Sequence, residues 1–230
     1  MYTYRYVLQS QATGFRYVLF DWDNFFATFL AAADDDAKNA SYSNLIQIVK
    51  ARTSKGFVPN FSGGGDKSID RTEPPVGGMI VKEIWDKFHD DWIVELLLPD
   101  LVKWNDWFVR ERTLGDLGLV SLGSDGFVGH VDASANAMQG ARYESGLDNS
   151  PMYDGEFFQT NCSTDGPNLV GQMTLYDVGM ASMFSADARA LSYLAKNVLK
   201  DDELAAKLEQ RASAQSDLIQ KHLWHEDDGV

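Results

Sequence analysis

Between Arg142 and Asp154 the chain sets three carboxylates (Glu144, Asp148, Asp154), an arginine, two tyrosines and Gly146 into thirteen residues. Asp148 follows Gly146 by two positions, and glycine admits backbone angles closed to other residues. Asn149-Ser150-Pro151 comes next, a triplet that favours a tight turn over a helix interior. The run predicts a fixed loop presenting a carboxylate at the floor of a polar pocket. Standing alone, the run reads first as structural, with Asp148 capping a turn and Glu144 paired to Arg142 at the surface. Three further segments carry the same chemistry. Asp21-Trp-Asp-Asn-Phe-Phe26 places acids on both sides of a tryptophan just before a helix, whose first-turn amides would steady them. Gly56-Phe-Val-Pro-Asn-Phe61 is a rigid aromatic turn. Asp70-Arg-Thr-Glu-Pro-Pro-Val-Gly-Gly78 joins an ion pair to two prolines that force an extended chain before the next helix. Aromatic faces beside carboxylates suit sugar recognition: a ring packs against C–H groups while acids accept hydrogen bonds from hydroxyls.

The elements that must position these segments are mostly helical, and alternation typical of strands is scarce. Phe25, Phe26, Phe29 and Leu30 predict one apolar helix face, ending in Asp34-Asp35-Asp36; Leu45, Ile46, Ile48 and Val49 predict a second helix. Ile80, Val81, Ile84, Trp85 and Phe88 repeat the period up to His89-Asp90-Asp91. Ile93, Leu96, Leu97, Leu101, Trp104 and Phe108 continue it, in a run that Pro99 is expected to kink or split. A passage rich in Gly, Ser, Asp and Asn from about 114 to 171 reads as one long functional loop. Helices resume with Leu191, Leu194, Ala195 and Val198, then with Leu204, Leu208, Ala212, Ile219 and Leu223, capped by Asp201 or Asp202. No linker divides the 230 residues, which read as a single domain.

Composition excludes several classes of function. Thirty-four acidic against 20 basic residues give a net charge of -14 and a pI near 4.5. Such a surface repels phosphate backbones and anionic lipid, so neither nucleic acid nor membrane is an expected partner. No apolar run is long enough to span a bilayer, and no signal sequence precedes the first helix, so the chain as given is expected to be soluble. The lone Cys162 rules out an internal disulfide and a zinc site of paired cysteines. Gly63-Gly-Gly-Asp-Lys-Ser68 lacks phosphate-loop spacing and reads as a flexible loop. Gly123-Ser-Asp-Gly126 is no serine-hydrolase elbow. His222 and His225 lack a third ligand, and Asp34 to Asp36 read as a solvated helix end with calcium as the minor alternative. No metal or cofactor is called for. Asn39, Asn60 and Asn161 match the glycosylation pattern, which decides nothing about compartment.

Taken in order, the four segments resemble glycoside hydrolase family 63, including its mannosylglycerate hydrolase-like and glucosidase-like members, with a more distant likeness to trehalases. The likeness runs from about Tyr17 to Trp224. Trp22-Asp23-Asn24 resembles the family's Trp-Asp-[Asn/Thr/Ser] element, Gly56 to Asn60 its Gly-x-x-Pro-Asn turn, Glu73-Pro74-Pro75 its Gln/Glu-Pro-Pro element, and Glu144-Ser-Gly-Leu-Asp148 its Glu-Ser-Gly-x-Asp motif. The resemblance implies an all-α fold, a partial (α/α)6 toroid of helical hairpins with long active-site loops, and an inverting glycosidase acting on α-glycosides. It implies Asp148 as general acid, protonated by its surroundings, with Trp22, Asp23, Asn24, Glu73, Glu144 and Gly146 at the sugar. An inverting pair needs a second carboxylate about 6.5–9.5 Å away to activate water. The family places that glutamate in the second half of its barrel, and residues 1–230 hold no counterpart; Glu226 belongs to a turn and is not promoted. The expectation is therefore an incomplete catalytic domain, inactive alone, lacking the strands or helix that usually precede Trp22 and exposing apolar helix faces. A non-catalytic carbohydrate-binding or scaffold module is the alternative. Oligomeric state and the particular glycoside stay open.

Overall fold

The computed structural model describes residues 4–6, 16–63, 65–113, 115–125, 137–155 and 171–229. In chain order its elements are β1 (Tyr4–Tyr6), β2 (Arg16–Phe20), α1 (Asp21–Ala31), α2 (Lys38–Lys50), β3 (Phe61–Gly63), β4 (Asp66–Lys67), α3 (Gly77–Phe88), α4 (Asp91–Glu111), β5 (Gly123–Ser124), α5 (Ala137–Glu144), β6 (Gly171–Gln172), α6 (Val178–Leu194) and α7 (Asp202–His222). They form two compact units, each built from two stretches of chain: residues 1–74 with 122–175, and 75–121 with 176–230. Because each unit is discontinuous, its boundaries fall between packed segments and leave no linker composition to read. The fold class is mainly helical, as the apolar periodicity predicts. Among the described residues, no helix is long and apolar enough to cross a membrane.

In the first unit, β1 to β4 make an antiparallel sheet in sequence order. The sequence gives no sign of these strands, because they are two to five residues long, too short for alternation to register. The Gly63 to Ser68 stretch, expected as a loose loop, contains the pairing Ser62↔Lys67 and Gly63↔Asp66. Strand β2 runs directly into α1, so Asp21 to Asn24 form the first helical turn and do not precede it. The apolar face expected on α1 is also not the buried one. Phe25 is sealed, but Phe26 is 41%, Phe29 44% and Leu30 71% exposed. The buried stripe is Asp21, Asn24, Phe25 and Thr28, largely polar. Most of its polar atoms are bonded within the interface, while Asp21 Oδ1 and Asn24 Oδ1 accept no hydrogen bond. Asn24 Nδ2 donates to Phe20 O, Thr28 Oγ1 donates to Asn24 O at 2.6 Å, and Asn44 of α2 donates to both Asn24 O and Thr28 Oγ1. Hydropathy alone cannot find such an interface, since a polar group is buried only where its partner is in place. After α1 the aspartate triplet is exposed, as expected of a solvated helix end, and Asp34 Oδ1 accepts from Asp36 N at 3.0 Å.

The long passage from 114 to 171 is not loop throughout. It holds α5, and β5 pairs with β6 through Gly123↔Gln172 and Ser124↔Gly171. Asn161 and Cys162 fall outside the described residues.

The second unit is four helices around an apolar core that includes Ile84, Ile93, Leu97, Leu101, Trp104, Phe108, Phe184, Leu191 and Leu208. Pro99 does not split α4, which is continuous over 21 residues. Pro99 and Glu95 both lie on its exposed side, so the carbonyl that proline leaves without a helical donor can be hydrated. Helix α6 continues into a wider π-helical turn, Ala195–Leu199, and Asp201 caps α7 by accepting from Leu204 N at 2.9 Å. Small residues let α6 and α7 approach closely: Ser185 Oγ donates to Ala212 O at 2.8 Å and Ser192 Oγ to Ala205 O at 2.7 Å. His225 pairs with Asp228 at 2.7 Å, and no group of three or more His, Cys, Asp or Glu is placed to hold a metal among the described residues.

Asp187 of α6 is the buried polar anchor of this unit. Its Oδ1 accepts from Gly78 N at 2.6 Å, at the start of α3, and its Oδ2 from Asn105 Nδ2 at 3.0 Å. Burial pushes its carboxyl up to about 7 against these bonds and the nearby Arg211 charge. Gly78 permits the approach, because a β-carbon there would lie 2.7 Å from Leu191 Cγ and 2.8 Å from Asp187 Oδ1. Gly78→Ala is accordingly expected to destabilise the fold by about 1–3 kcal/mol in urea denaturation, the cost of overpacking a core contact.

Candidate active site

The first unit encloses a cavity of about 350 Å³, a size typical of small-molecule sites. Four chain segments contribute to its wall. Helix α1 and the residue before it supply Phe20, Trp22 and Asp23; the turn before β3 supplies Asn60, and β3 itself Phe61. The buried extended segment supplies Arg71 and Glu73, and the end of α5 with its following turn supplies Tyr143, Gly146, Asp148 and Asn149.

The turn after α5 is fixed at several points. Glu144 is fully buried, with Oε1 accepting from Thr72 N at 3.1 Å and Oε2 from Gly123 N at 2.6 Å. Glu144 is therefore neither the surface partner of Arg142 nor part of the cavity wall, and its expected sugar contact gives way to a brace between three segments. Arg142 instead faces Asp154 at 3.4 Å and donates to Tyr153 O. Gly140 allows α5 to lie against Ser124 and Asp70, where a β-carbon would come within 2.5 Å of Ser124 Oγ. Past the helix, Leu147 N donates to Ser145 Oγ and Ser150 N to Leu147 O, closing a turn around Asp148 and Asn149. Gly146 has φ +72°, and a β-carbon on it would meet Trp22 Cζ2 at 2.4 Å. Glycine is required there on both counts. Asp148 itself takes φ 43°, a left-handed conformation that aspartate tolerates better than most residues.

Trp22 meets Phe26 edge-on with centroids 5.9 Å apart. Asn24, expected at the sugar, is fully buried in the α1–α2 interface and does not reach the cavity. Arg71, which the sequence marks only as an ion-pair partner, organises the wall. Its Nη1 donates to Asp70 Oδ2 at 2.9 Å, its Nε to Asn60 Oδ1 at 3.1 Å, and its guanidinium lies 5.0 Å from the Tyr143 ring and 5.8 Å from the Phe61 ring. Arginine next to aspartate signals a salt bridge in any sequence; nothing local tells that both side chains are fully buried.

The electrostatics are dominated by acids. Burial raises the Asp148 carboxyl from its ordinary value and the Asp23 charge adds to this, while the Arg71 guanidinium opposes it. Asp148 is surface-exposed as a residue, so this lost solvation is that of an open cavity wall and not of a sealed core. Burial raises Asp23 too, against bonds from its own amide and the Trp22 side chain. Glu73 is 3% exposed and pushed up to about 8, chiefly by burial, with Asp23 and Asp148 adding repulsion. Its Oε2 accepts from Trp22 N at 3.1 Å, an amide of the first α1 turn that has no helical partner. The helix amide expected to steady the α1 acids thus serves a carboxylate from a different segment. Behind Glu73, Asp21 is sealed and raised well above the ordinary range by burial and by Glu73.

Gly146→Ala is expected to cost about 1–3 kcal/mol of stability by denaturant titration, with a shift in tryptophan emission, because the methyl group overlaps the Trp22 indole. Glu73 binds its proton more tightly folded than unfolded, so its contribution to stability is complete below pH about 4.5 and is lost as pH rises to about 8. Urea midpoints should therefore fall less over that interval in Glu73→Gln than in the parent chain.

The fold has counterparts in solved structures. A conserved protein of uncharacterised function from Thermus thermophilus superposes with a TM-score of 0.64 at 17% identity, covering 92% of this chain and 59% of that one. The GH63 mannosylglycerate hydrolase from the same organism, in complex with glucose, gives 0.64 at 18% identity over 95% and 60% of the two chains. Its complex with Tris and D-glycerate gives 0.62 at 17%, over 92% and 60%. The fold is shared with these proteins, and the chain spans about 60% of their length. A search of curated proteins gives no match. The family model of the mannosylglycerate hydrolase MGH1-like glycoside hydrolase domain matches residues 17–230, and the chain belongs to that family of glycoside hydrolases.

Proposed function

We propose that this chain carries the general acid and most of the sugar-holding wall of an inverting glycoside hydrolase acting on α-glycosides, an α-glucoside, mannosylglycerate or a related small glycoside. The observation that carries the reading is the convergence of Asp148, Trp22, Asp23 and Glu73 on one cavity from segments up to 126 residues apart. Asp148 is the proton donor to the departing oxygen. Burial raises its carboxyl from the ordinary value against the Arg71 charge, the direction a general acid requires. Trp22 offers an apolar ring to the sugar's C–H groups, and Asp23 and Glu73 bind its hydroxyls. The Gly146 backbone closes that wall, while Asn24 and Glu144 support it from behind.

Glucose and D-glycerate, bound in two complexes of one solved relative, favour a small glycoside as ligand. The family model runs across both compact units, which supports treating residues 17–230 as part of one catalytic domain. The water-activating carboxylate of the inverting pair is assigned to the portion of the relatives that this chain does not span. The 230-residue chain is then expected to bind sugar and release none.

A polypeptide extended to the length of the relatives should hydrolyse α-glycosides, and Asp148→Asn in it should lower kcat by about 10²–10⁴-fold with little change in KM. A coupled assay of sugar release measures both. An Asp148→Asn enzyme as active as its parent would remove Asp148 from the acid role, and sugar binding with no turnover in the extended polypeptide would favour a non-catalytic carbohydrate-binding module.

A further inference from the structure

Asp21 immediately precedes the cavity tryptophan, yet its side chain turns away from the cavity into a fully buried position. An ionised carboxylate there would need several donors to offset its lost hydration. It finds few. Asp21 Oδ1 has no hydrogen-bond donor. Oδ2 accepts from Glu73 N at 3.2 Å and lies 3.2 Å from Thr72 Oγ1. The Thr72 hydroxyl owns a single hydrogen, and Val58 O stands only 2.5 Å from it. That carbonyl accepts and cannot donate, so the Thr72 hydrogen is taken by Val58. Asp21 is left with one long bond from a backbone amide, which fits a neutral carboxyl group and not an anion. Its remaining polar neighbour is Glu73, whose side chain it contacts.

We infer that Asp21 is a positioning residue: it stays protonated, donates that hydrogen to the Glu73 carboxyl, and thereby fixes Glu73 at the cavity wall as an acceptor for a substrate hydroxyl. Two carboxyl groups in contact inside a protein cannot both ionise cheaply, so a shared hydrogen is the stable arrangement. The other groups around the pair do not relieve it. Asp23 on α1 and Asp148 on the turn after α5 add negative charge to Glu73, while Asp70 and Arg71 on the adjoining segment are bound to each other. Trp22 N holds the second face of the arrangement by donating to Glu73 Oε2. The Glu73 carboxyl is thus clamped between a helix amide and a carboxylic acid, and its orientation toward the sugar depends on both.

The inference rests on the glycoside reading of this cavity, and the test separates the two. Difference infrared spectroscopy of the full chain between about pH 6 and pH 9 follows protonated carboxyl groups in a range where ordinary Asp and Glu are ionised. The parent chain should show bands from both carboxyl groups of the pair, and Asp21→Asn should lose the Asp21 part while a band from Glu73, held up to about 8 chiefly by burial, remains. A separate band from Asp187, which titrates near 7, should survive that substitution. Identical spectra for parent and Asp21→Asn would overturn the shared hydrogen. Calorimetry with D-glucose then reads the positioning role. Asp21→Ala should weaken binding about tenfold, as loss of one oriented hydrogen bond does, and Asp21→Asn, which keeps a donor, should restore most of it. Glucose affinity untouched in a folded Asp21→Ala chain would overturn the role. A parent chain that binds no glucose would count against the glycoside reading, while the infrared bands still decide whether Asp21 holds the hydrogen.

Discussion

The turn that carries Asp148 starts from one buried side chain, the carboxyl group of Glu144. It ties the end of α5 to the Thr72 amide on the extended segment and to the Gly123 amide on β5. A charge taken out of water is tolerable only with such partners, and two backbone donors supply them without any mobile side chain. Everything downstream inherits that rigidity. Gly146 can press against Trp22 only because α5 ends at a defined height, and Asp148 can face the same cavity only because its turn begins there.

Around this brace the molecule concentrates acids and allots them different surroundings. Glu144 is met by amides, Asp70 by Arg71 and Ser124, and Asp187 of the other unit by Gly78 and Asn105. Asp21, Glu73 and Asp148 have less, and burial drives their carboxyls upward. Asp187 is driven upward as well despite its bonds, so burial sets the direction of the shift in both units and the donors oppose it.

Much of this is legible in the sequence, and the limits have physical causes. Period-3.6 apolar patterns find the helices, because α3, α4, α6 and α7 bury apolar stripes. The same logic fails on α1, whose buried stripe is Asp21, Asn24 and Thr28 beside a single phenylalanine. It fails on the strands and on α5 because elements of two to eight residues carry too few positions for a period. Pro99 reads as a break, whereas on a water-facing side of a long helix its missing bond costs little. At the site, the motif residues Trp22, Asp23, Glu73, Gly146 and Asp148 do line one cavity. Arg71 and Asp21 are invisible as contributors, since what sets them apart is burial and neighbours from distant segments. Glu144 and Asn24 belong to the same motifs but face inward, a distinction of direction that residue type does not encode.

The interruption of the first unit by the second has a consequence for the order of assembly. Asp21, Asp70 and Glu73 all belong to the first stretch, while the brace and the turn that complete their surroundings lie beyond residue 122. The bonds from Thr72 to Glu144 and from Asp70 to Ser124 close loops of 72 and 54 residues. Such closures are entropically costly and form late, after local helices have settled. A nascent chain thus carries its future cavity as a set of hydrated acids, and Asp21 and Glu73 gain their hold on protons only as water leaves them.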